Sequence, residues 1–176
     1  MAGFAYRGQT NGNETPIAES LIIGNSQVVK VGDAVSMSSG FVIPATASTR
    51  VYGICVGLTS DKGIDLENVH VTKGGTYTNS TQSYTAAGDN QTVDKIRAVI
   101  IADPNTLWFD DANGDFTTAH LKLHVKLTSA NQIDQATTSA TVGQFQIWKI
   151  DPDEDADASK GLFRLASWQG NSFTPA

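Results

Sequence analysis

The chain has 176 residues, enough for one hydrophobic core or for two small β units in tandem without disulfide bonds. It contains 12 Lys and Arg and 18 Asp and Glu, which give a net charge of −6. Because this charge opposes binding to phosphate backbones, we expect no nucleic-acid partner. The single cysteine, Cys55, has no partner for an intrachain disulfide, and in its apolar run a thiol is typically a small buried hydrophobe.

Residues 1–16 are rich in Gly and Asn and poor in core-forming residues, which predicts an extended N-terminal arm. Phe4, Tyr6 and Arg7 lie near its tip, and aromatic and Arg side chains are common anchors of protein interfaces. Docking of this arm on a neighbouring subunit and a frayed terminus both remain open. The chain shows no basic leader followed by an apolar core and no long apolar run, so we expect no secretion, no membrane contact and assembly in a reducing cytoplasm.

From Ile17 onward, short apolar runs alternate with turn residues, a pattern typical of brief antiparallel strands. The most hydrophobic predicted strand covers residues 50–58, where Gly53 and Gly57 allow a close backbone approach or a bulge. The other predicted strands of this region cover residues 20–23, 27–31, 34–37, 41–43 and 68–73.

Residues 74–94 form a long polar segment that contains Tyr77 and Tyr84. A loop of this length is uncommon in a compact domain and is either functional or a hairpin. Tyr77-Thr78 and Ser83-Tyr84-Thr85, which flank Asn79-Ser80, favour a β-hairpin that projects from the body. The Asn-x-Thr sequons at Asn13, Asn79 and Asn90 are interpreted as loop composition.

The second half of the chain continues the strand pattern. Residues 120–127 alternate between polar and apolar without interruption, which predicts one strand with His120 and His124 on its wet face, roughly 13 Å apart and too far for one metal ion. Trp108 and Trp148 lie in apolar runs, and we expect both in the core. Further strands are predicted over residues 95–102, 105–110, 145–150 and 162–168.

No segment has convincing helical periodicity, so the predicted fold class is all-β. We expect a small barrel or sandwich of short antiparallel strands with an extended N-terminal arm. Residues 17–176 form either one β domain or two subdomains, 17–102 and 103–176.

Two acidic clusters are typical of turns. They are Asp110, Asp111, Asn113 and Asp115, and Asp151, Asp153, Asp155 and Asp157. The second begins like a calcium loop, but Ala156 and Leu162 stand where that loop requires Gly and Glu. The chain also contains no phosphate-binding glycine motif, nucleophile elbow or zinc-spaced cluster, so we predict no enzyme activity, no cofactor and no metal.

Three stretches carry a resemblance to a known family. They are Val31-Gly32-Asp33-Ala34-Val35 with Gly40-Phe41-Val42, Pro44-Ala45-Thr46-Ala47 with Val51-Tyr52-Gly53-Ile54-Cys55-Val56-Gly57, and Ile101-Ala102-Asp103-Pro104-Asn105-Thr106-Leu107-Trp108-Phe109. Together they resemble the head decoration proteins of tailed bacteriophages, also called cement or capsid-stabilising proteins. The match covers mainly residues 17–110.

The resemblance implies a structural virion protein on the outer capsid surface, often a homotrimer, which bridges neighbouring major capsid proteins and stabilises the head. The candidate capsid-contact residues are Phe4, Tyr6, Arg7, Tyr77 and Tyr84. Two alternatives remain open: another virion part, such as a tail-tube, spike or fibre domain, and a carbohydrate-binding module with a platform of exposed aromatic rings.

Overall fold

A computed structural model of the chain describes residues 3–10, 12, 15–60, 75–93, 95–150 and 159–166. These residues contain β-strands and two short 3-10 helices but no α-helix, so the predicted all-β fold class is confirmed. None of these helices is long and apolar enough to span a membrane. The strands are β1 Ala5–Gln9, β2 Ala18–Ile22, β3 Val28–Lys30, β4 Ala34–Ser38, β5 Phe41–Pro44, β6 Gly53–Thr59, β7 Thr76–Thr78, β8 Ser83–Thr85, β9 Arg97–Ile101, β10 Thr106–Asp111, β11 His124–Ser129, β12 Gln132–Ser139, β13 Phe145–Ile150 and β14 Lys160–Leu165, and the 3-10 helices are Asn79–Thr81 and Thr118–His120.

The strands form three antiparallel sheets, and in the described ranges none of them closes into a barrel. Their orders are β1-β10-β14-β13-β11-β12, β2-β9-β6-β4-β5 and β3-β8-β7. The chain divides into two compact units. The six-stranded unit comprises Met1–Pro16, Ala45–Val51 and Asp103–Ala176, and the two-sheet unit comprises Ile17–Pro44 and Tyr52–Ala102.

In the two-sheet unit, the three-stranded sheet packs against the five-stranded one. Val29 and Tyr84 of the small sheet share a buried cluster with Val35, Cys55 and Ile100 of the large sheet. This packing gives the unit the sandwich-like arrangement expected from its alternating strands.

The large sheet of this unit also curls, so that its two outermost strands approach each other. An isolated bridge pairs Ile23, just after β2, with Val42 of β5, and the Gly24 amide donates to the Val42 carbonyl at 2.8 Å. The sheet is therefore strongly bent but open along the rest of these two strands.

Asn90 satisfies backbone groups at the open side of this sheet. Its side chain is fully buried, its Nδ2 donates to the carbonyl oxygens of Ile23 at 2.7 Å and Ile96 at 3.2 Å, and its Oδ1 accepts from the Ile96 amide at 3.1 Å. The Tyr84 hydroxyl also donates to Oδ1, at 3.4 Å. Asn90 thus lies in a turn between β8 and β9, as its interpretation as loop composition implied, but its side chain is part of the core.

A tight turn joins β3 to β4. The Asp33 amide donates to the Lys30 carbonyl at 3.0 Å, and Gly32, at the third position of the turn, has φ of +92°, which only Gly adopts without strain. The Asp33 carboxylate accepts from the Lys30 amide at 2.9 Å, while burial of this carboxyl raises its pKa to about 6. Gly32 and Asp33 of the family-like segment therefore stabilise this turn.

Gly53 and Gly57 of β6 have different surroundings. A Cβ on Gly53 would lie 2.5 Å from Ile100 Cγ2 and 2.6 Å from the Ile101 oxygen, whereas a Cβ on Gly57 would lie no closer than 3.6 Å to Val99. The pairing of β6 with β9 shifts register between Cys55 and Gly57. Both predicted roles, close approach and bulge, are confirmed.

The six-stranded unit is built around aromatic side chains. Phe4 is only 5% exposed and stacks on Phe145 with ring centroids 4.7 Å apart, while Phe116 packs on Phe163 at 5.7 Å. Strand β1 pairs with β10, so residues 5–9 form an edge strand of the sheet. Residues 4–9 are therefore packed rather than part of a free arm, because burial of Phe4 draws them into the core.

The sheet of this unit curls until β12 approaches β10. The Asn113 amide donates to the Ile133 carbonyl at 3.0 Å, and the Ile133 amide donates to the Asp110 carboxylate at 3.1 Å. The buried side chain of Gln144 also bonds to backbone groups of neighbouring segments. Its Oε1 accepts from the Leu127 amide at 2.8 Å, and its Nε2 donates to the Thr46 carbonyl at 2.7 Å.

Two predicted elements differ in detail. The alternation over residues 120–127 forms a strand only from His124, because Thr117 and His120 form a capping box around the helix Thr118–His120 and Lys122 turns the chain with φ of +67°. The predicted hairpin is confirmed as β7 and β8, but it does not project, since Tyr84 is buried in the core. The predicted strand at 68–73 and the acidic segment at 151–157 lie outside the described residues.

Replacing Gly53 with Ala should lower the free energy of unfolding by about 1–3 kcal/mol, because the new methyl group meets a backbone oxygen that cannot move freely. Gly57→Ala is the matched control, with an expected change below about 0.5 kcal/mol, since its Cβ finds ordinary contact distances. Urea unfolding followed by circular dichroism measures both. Equal effects would contradict the close approach at Gly53.

Asn90→Ala should cost about 2–4 kcal/mol, because it leaves the Ile96 amide and the Ile23 carbonyl buried without their partner. Asn79→Ala serves as the control, since Asn79 is exposed and its side chain has no hydrogen bond in the described structure. The same unfolding measurement applies. A loss below about 1 kcal/mol for Asn90→Ala would show that water replaces the side chain without penalty.

Candidate interaction surface

The outer face of the six-stranded sheet carries a continuous group of half-buried side chains. Phe109 of β10 lies directly opposite Leu162 of β14, and Arg164, two residues further along β14, lies opposite Gln146 of β13. Directly opposed residues of antiparallel strands project to the same side, so these side chains share one face. His124 of β11 extends the same row, because it lies opposite Gln146.

Cationic groups of this face rest on aromatic rings. The Arg7 guanidinium carbon lies 5.0 Å from the centroid of the Phe109 ring. Lys122 Nζ lies 3.3 Å from the centroid of Trp148, and the Arg164 guanidinium carbon lies 4.7 Å from the same centroid. We call Arg7, Phe109, Lys122, Trp148 and Arg164 the cation–aromatic face. Each such contact is worth roughly 0.5–1 kcal/mol at an exposed site.

Gln146 fixes the side chain of Arg164 and the backbone of Lys122 next to Trp148. Its Oε1 accepts from Arg164 Nε at 2.8 Å, and its Nε2 donates to the Lys122 carbonyl at 2.9 Å. The Lys122 amide donates to the Ile147 carbonyl at 2.9 Å, which fixes the left-handed turn at this residue. Specific hydrogen bonds therefore order the Arg164 side chain and the Lys122 backbone in this cluster.

The carboxylates on this sheet lie elsewhere. Asp111 is opposite Lys160, and Asp134 is opposite Lys126, whereas no described carboxylate is in register with Arg164. Partial desolvation, followed by the nearby Arg164 charge, lowers the pKa of Lys122. Like charges are thus concentrated at Trp148 without an opposing acid in the described part of the chain.

The residues predicted to contact a capsid are distributed over several environments. Phe4 and Tyr84 are buried in the cores of their units and are not available at the surface, because packing uses their rings. Tyr6 is 47% exposed and meets the edge of Trp108 with centroids 6.2 Å apart. Arg7 belongs to the cation–aromatic face, and Tyr77 is half buried against the core of the two-sheet unit.

Sequence reasoning missed Lys122, Trp148 and Arg164 as a cluster. The expected core position of Trp108 is confirmed, since it is fully buried, but that of Trp148 is wrong, because its ring lies on the outer face. Alternation along β14 places Arg164 outside. Lys122 approaches Trp148 because its own backbone has a left-handed φ, and a Lys at this position does not indicate that conformation.

The two histidines of the alternating segment have separate structural contacts. His120 Nδ1 accepts from the Thr117 amide at 3.0 Å and its ring meets Phe116 edge-on, while His124 Nδ1 lies 3.2 Å from the Ala140 carbonyl. Burial raises the pKa of the Cys55 thiol to about 12, which keeps it protonated. In the described ranges no three His, Cys, Asp or Glu side chains come together as a metal site.

Asp110 is buried, although the first acidic cluster, to which it belongs, is interpreted as a turn. Its carboxyl is 2% exposed, and burial raises its pKa to about 7 although the Asp111 and Ile133 amides oppose the shift. The other three members line the turn: Asp111 accepts from the Ser159 hydroxyl at 2.8 Å, Asn113 donates to Asp134 at 3.0 Å, and Asp115 is exposed.

Comparison with known proteins finds no match for this chain among family models, curated proteins or solved structures.

The pKa of Asp110 predicts a specific dependence of stability on pH. Because its folded-state pKa is above the unfolded value of 3.8, its contribution is complete below about pH 4 and is lost as the pH rises through about 7. Asp110→Asn should reduce the fall in unfolding free energy between these limits. Chemical unfolding at several pH values measures it, with Asp115→Asn as control. Parallel pH profiles for the native chain and Asp110→Asn would contradict the prediction.

Proposed function

We propose that this chain is a structural virion protein that binds the outer surface of a bacteriophage capsid and stabilises the head by bridging neighbouring major capsid proteins. The observation that carries the proposal is the cation–aromatic face, where charged and aromatic side chains lie on a hydrogen-bonded sheet. Arg and aromatic residues on a rigid surface are typical anchors of protein interfaces.

The family-like segments support the proposal in a second way. Val31-Gly32-Asp33-Ala34-Val35 forms the turn into β4, and the stretches around Phe41 and Gly53 form β5 and β6. These three strands are neighbours in one sheet, in the order β6-β4-β5. The stretch 101–109 is separate from them, because it runs from the end of β9 into β10 of the six-stranded sheet. The resemblance also implies a trimer of this chain on the capsid.

The rival functions receive less support. A carbohydrate-binding module needs an open ring face, but Trp108 is buried and Lys122 covers a face of Trp148. A tail-tube or fibre part would form rings or polymers, so size-exclusion chromatography of the purified chain separates that alternative from a discrete trimer.

Purified chain should co-sediment with capsids that lack it and raise their melting temperature. Arg7→Ser combined with Trp148→Ser should weaken this binding at least about tenfold, because two interface anchors are lost. Point substitutions are preferable to a deletion of residues 1–15, which would remove β1 and the buried Phe4.

Ile17→Ser is the matched control for the capsid experiment. Ile17 is 88% exposed and belongs to the two-sheet unit, so its loss should leave binding within about twofold of the native value. Circular dichroism of each variant checks folding. If the native chain neither sediments with capsids nor raises their melting temperature, the proposed function is wrong.

A further inference from the structure

We infer that the Lys122–Trp148–Arg164 cluster is a binding site for an acidic segment of a partner protein, with an Asp or Glu carboxylate received between the two cations. The inference deepens the proposed function and rests on it, since the partner would then be the capsid protein. It names the chemistry that this partner must present.

Among the described residues, no carboxylate is in register with Arg164 to compensate the two cations at Trp148. Lys122 and Arg164 approach the same ring, and partial burial, followed by the nearby Arg164 charge, lowers the pKa of Lys122. The outward acids of the sheet, Asp111 and Asp134, lie opposite other lysines. A carboxylate bound between the two cations would relieve their mutual repulsion, so the site favours an anion.

The donors of Arg164 and Lys122 have a geometry that suits a carboxylate. Gln146 engages Nε of Arg164, and the two terminal guanidinium nitrogens have no hydrogen bond within the described residues. Those nitrogens form the planar fork that pairs with a carboxylate in two parallel bonds. Lys122 Nζ donates to the Trp148 carbonyl at 3.3 Å and retains further protons for the same anion.

The contacts at Trp148 and the net charge of the chain favour a protein partner over a nucleic acid or a sugar. Lys122 lies 3.3 Å above the ring of Trp148, so that face is closed to a stacking base or pyranose. The chain as a whole carries a charge of −6, which repels an extended phosphate backbone. A carboxylate does not need the ring face, and a short acidic segment carries fewer charges than an extended phosphate backbone.

Fluorescence anisotropy with a labelled oligoglutamate peptide tests the inference without capsids, so it can fail independently of the proposed function. Native chain should bind the peptide, and Arg164→Gln should weaken binding at least about tenfold because the bidentate pair is lost. Lys149→Gln is the matched control. It removes the same charge from exposed Lys149 of β13, outside the contacts at Trp148, and should change binding less than about twofold.

Three outcomes would overturn the inference. Equal weakening by Arg164→Gln and Lys149→Gln would indicate diffuse attraction rather than a site. Tighter binding of an oligonucleotide of equal charge would indicate a phosphate ligand. If only a variant with its acids at 151–157 changed to amides bound the peptide, the chain's own acidic segment would be the occupant.

Discussion

Buried polar side chains take the place of missing strand neighbours in both units, and the curled sheets depend on them. A bent open sheet leaves backbone amides and carbonyls inside the core, where each unsatisfied group costs about 1–3 kcal/mol. Asn90 satisfies such groups of Ile23 and Ile96, and Asp110 satisfies the Ile133 amide. Asn90 therefore allows the five-stranded sheet, and Asp110 the six-stranded sheet, to bend around its core without a complete ladder of strand pairs.

This constraint also determines where the outer face lies. The six-stranded sheet curls because β12 returns toward β10, and its outer side then presents Trp148 and Phe109 while Phe163 fills the inside. Packing of Phe4 on Phe145 holds β1 against β10, which places Arg7 over Phe109. The N-terminal residues expected to act as an arm therefore contribute to the face as part of a fixed strand.

Local patterns predicted most of the strands, but they missed β1 and β12 and the residues that join the strands. Cys55 and Gly53 were predictable because their roles follow from the composition of a single strand. Asn90 bonds to Ile23, 67 positions away, and Asp110 bonds to Ile133, 23 positions away, so their burial depends on tertiary contacts. Lys122 reaches Trp148 only through a positive φ, which its residue type does not favour.

Preorganisation decides whether a small cationic cluster on an acidic protein can bind selectively. Immobilising a long side chain on binding costs about 0.5–1.5 kcal/mol, and here contacts with Trp148 and Gln146 already restrict Lys122 and Arg164. The surrounding negative charge weakens long-range attraction to any polyanion. Selectivity then depends on short-range geometry, because only a carboxylate that reaches both cations relieves the repulsion between them.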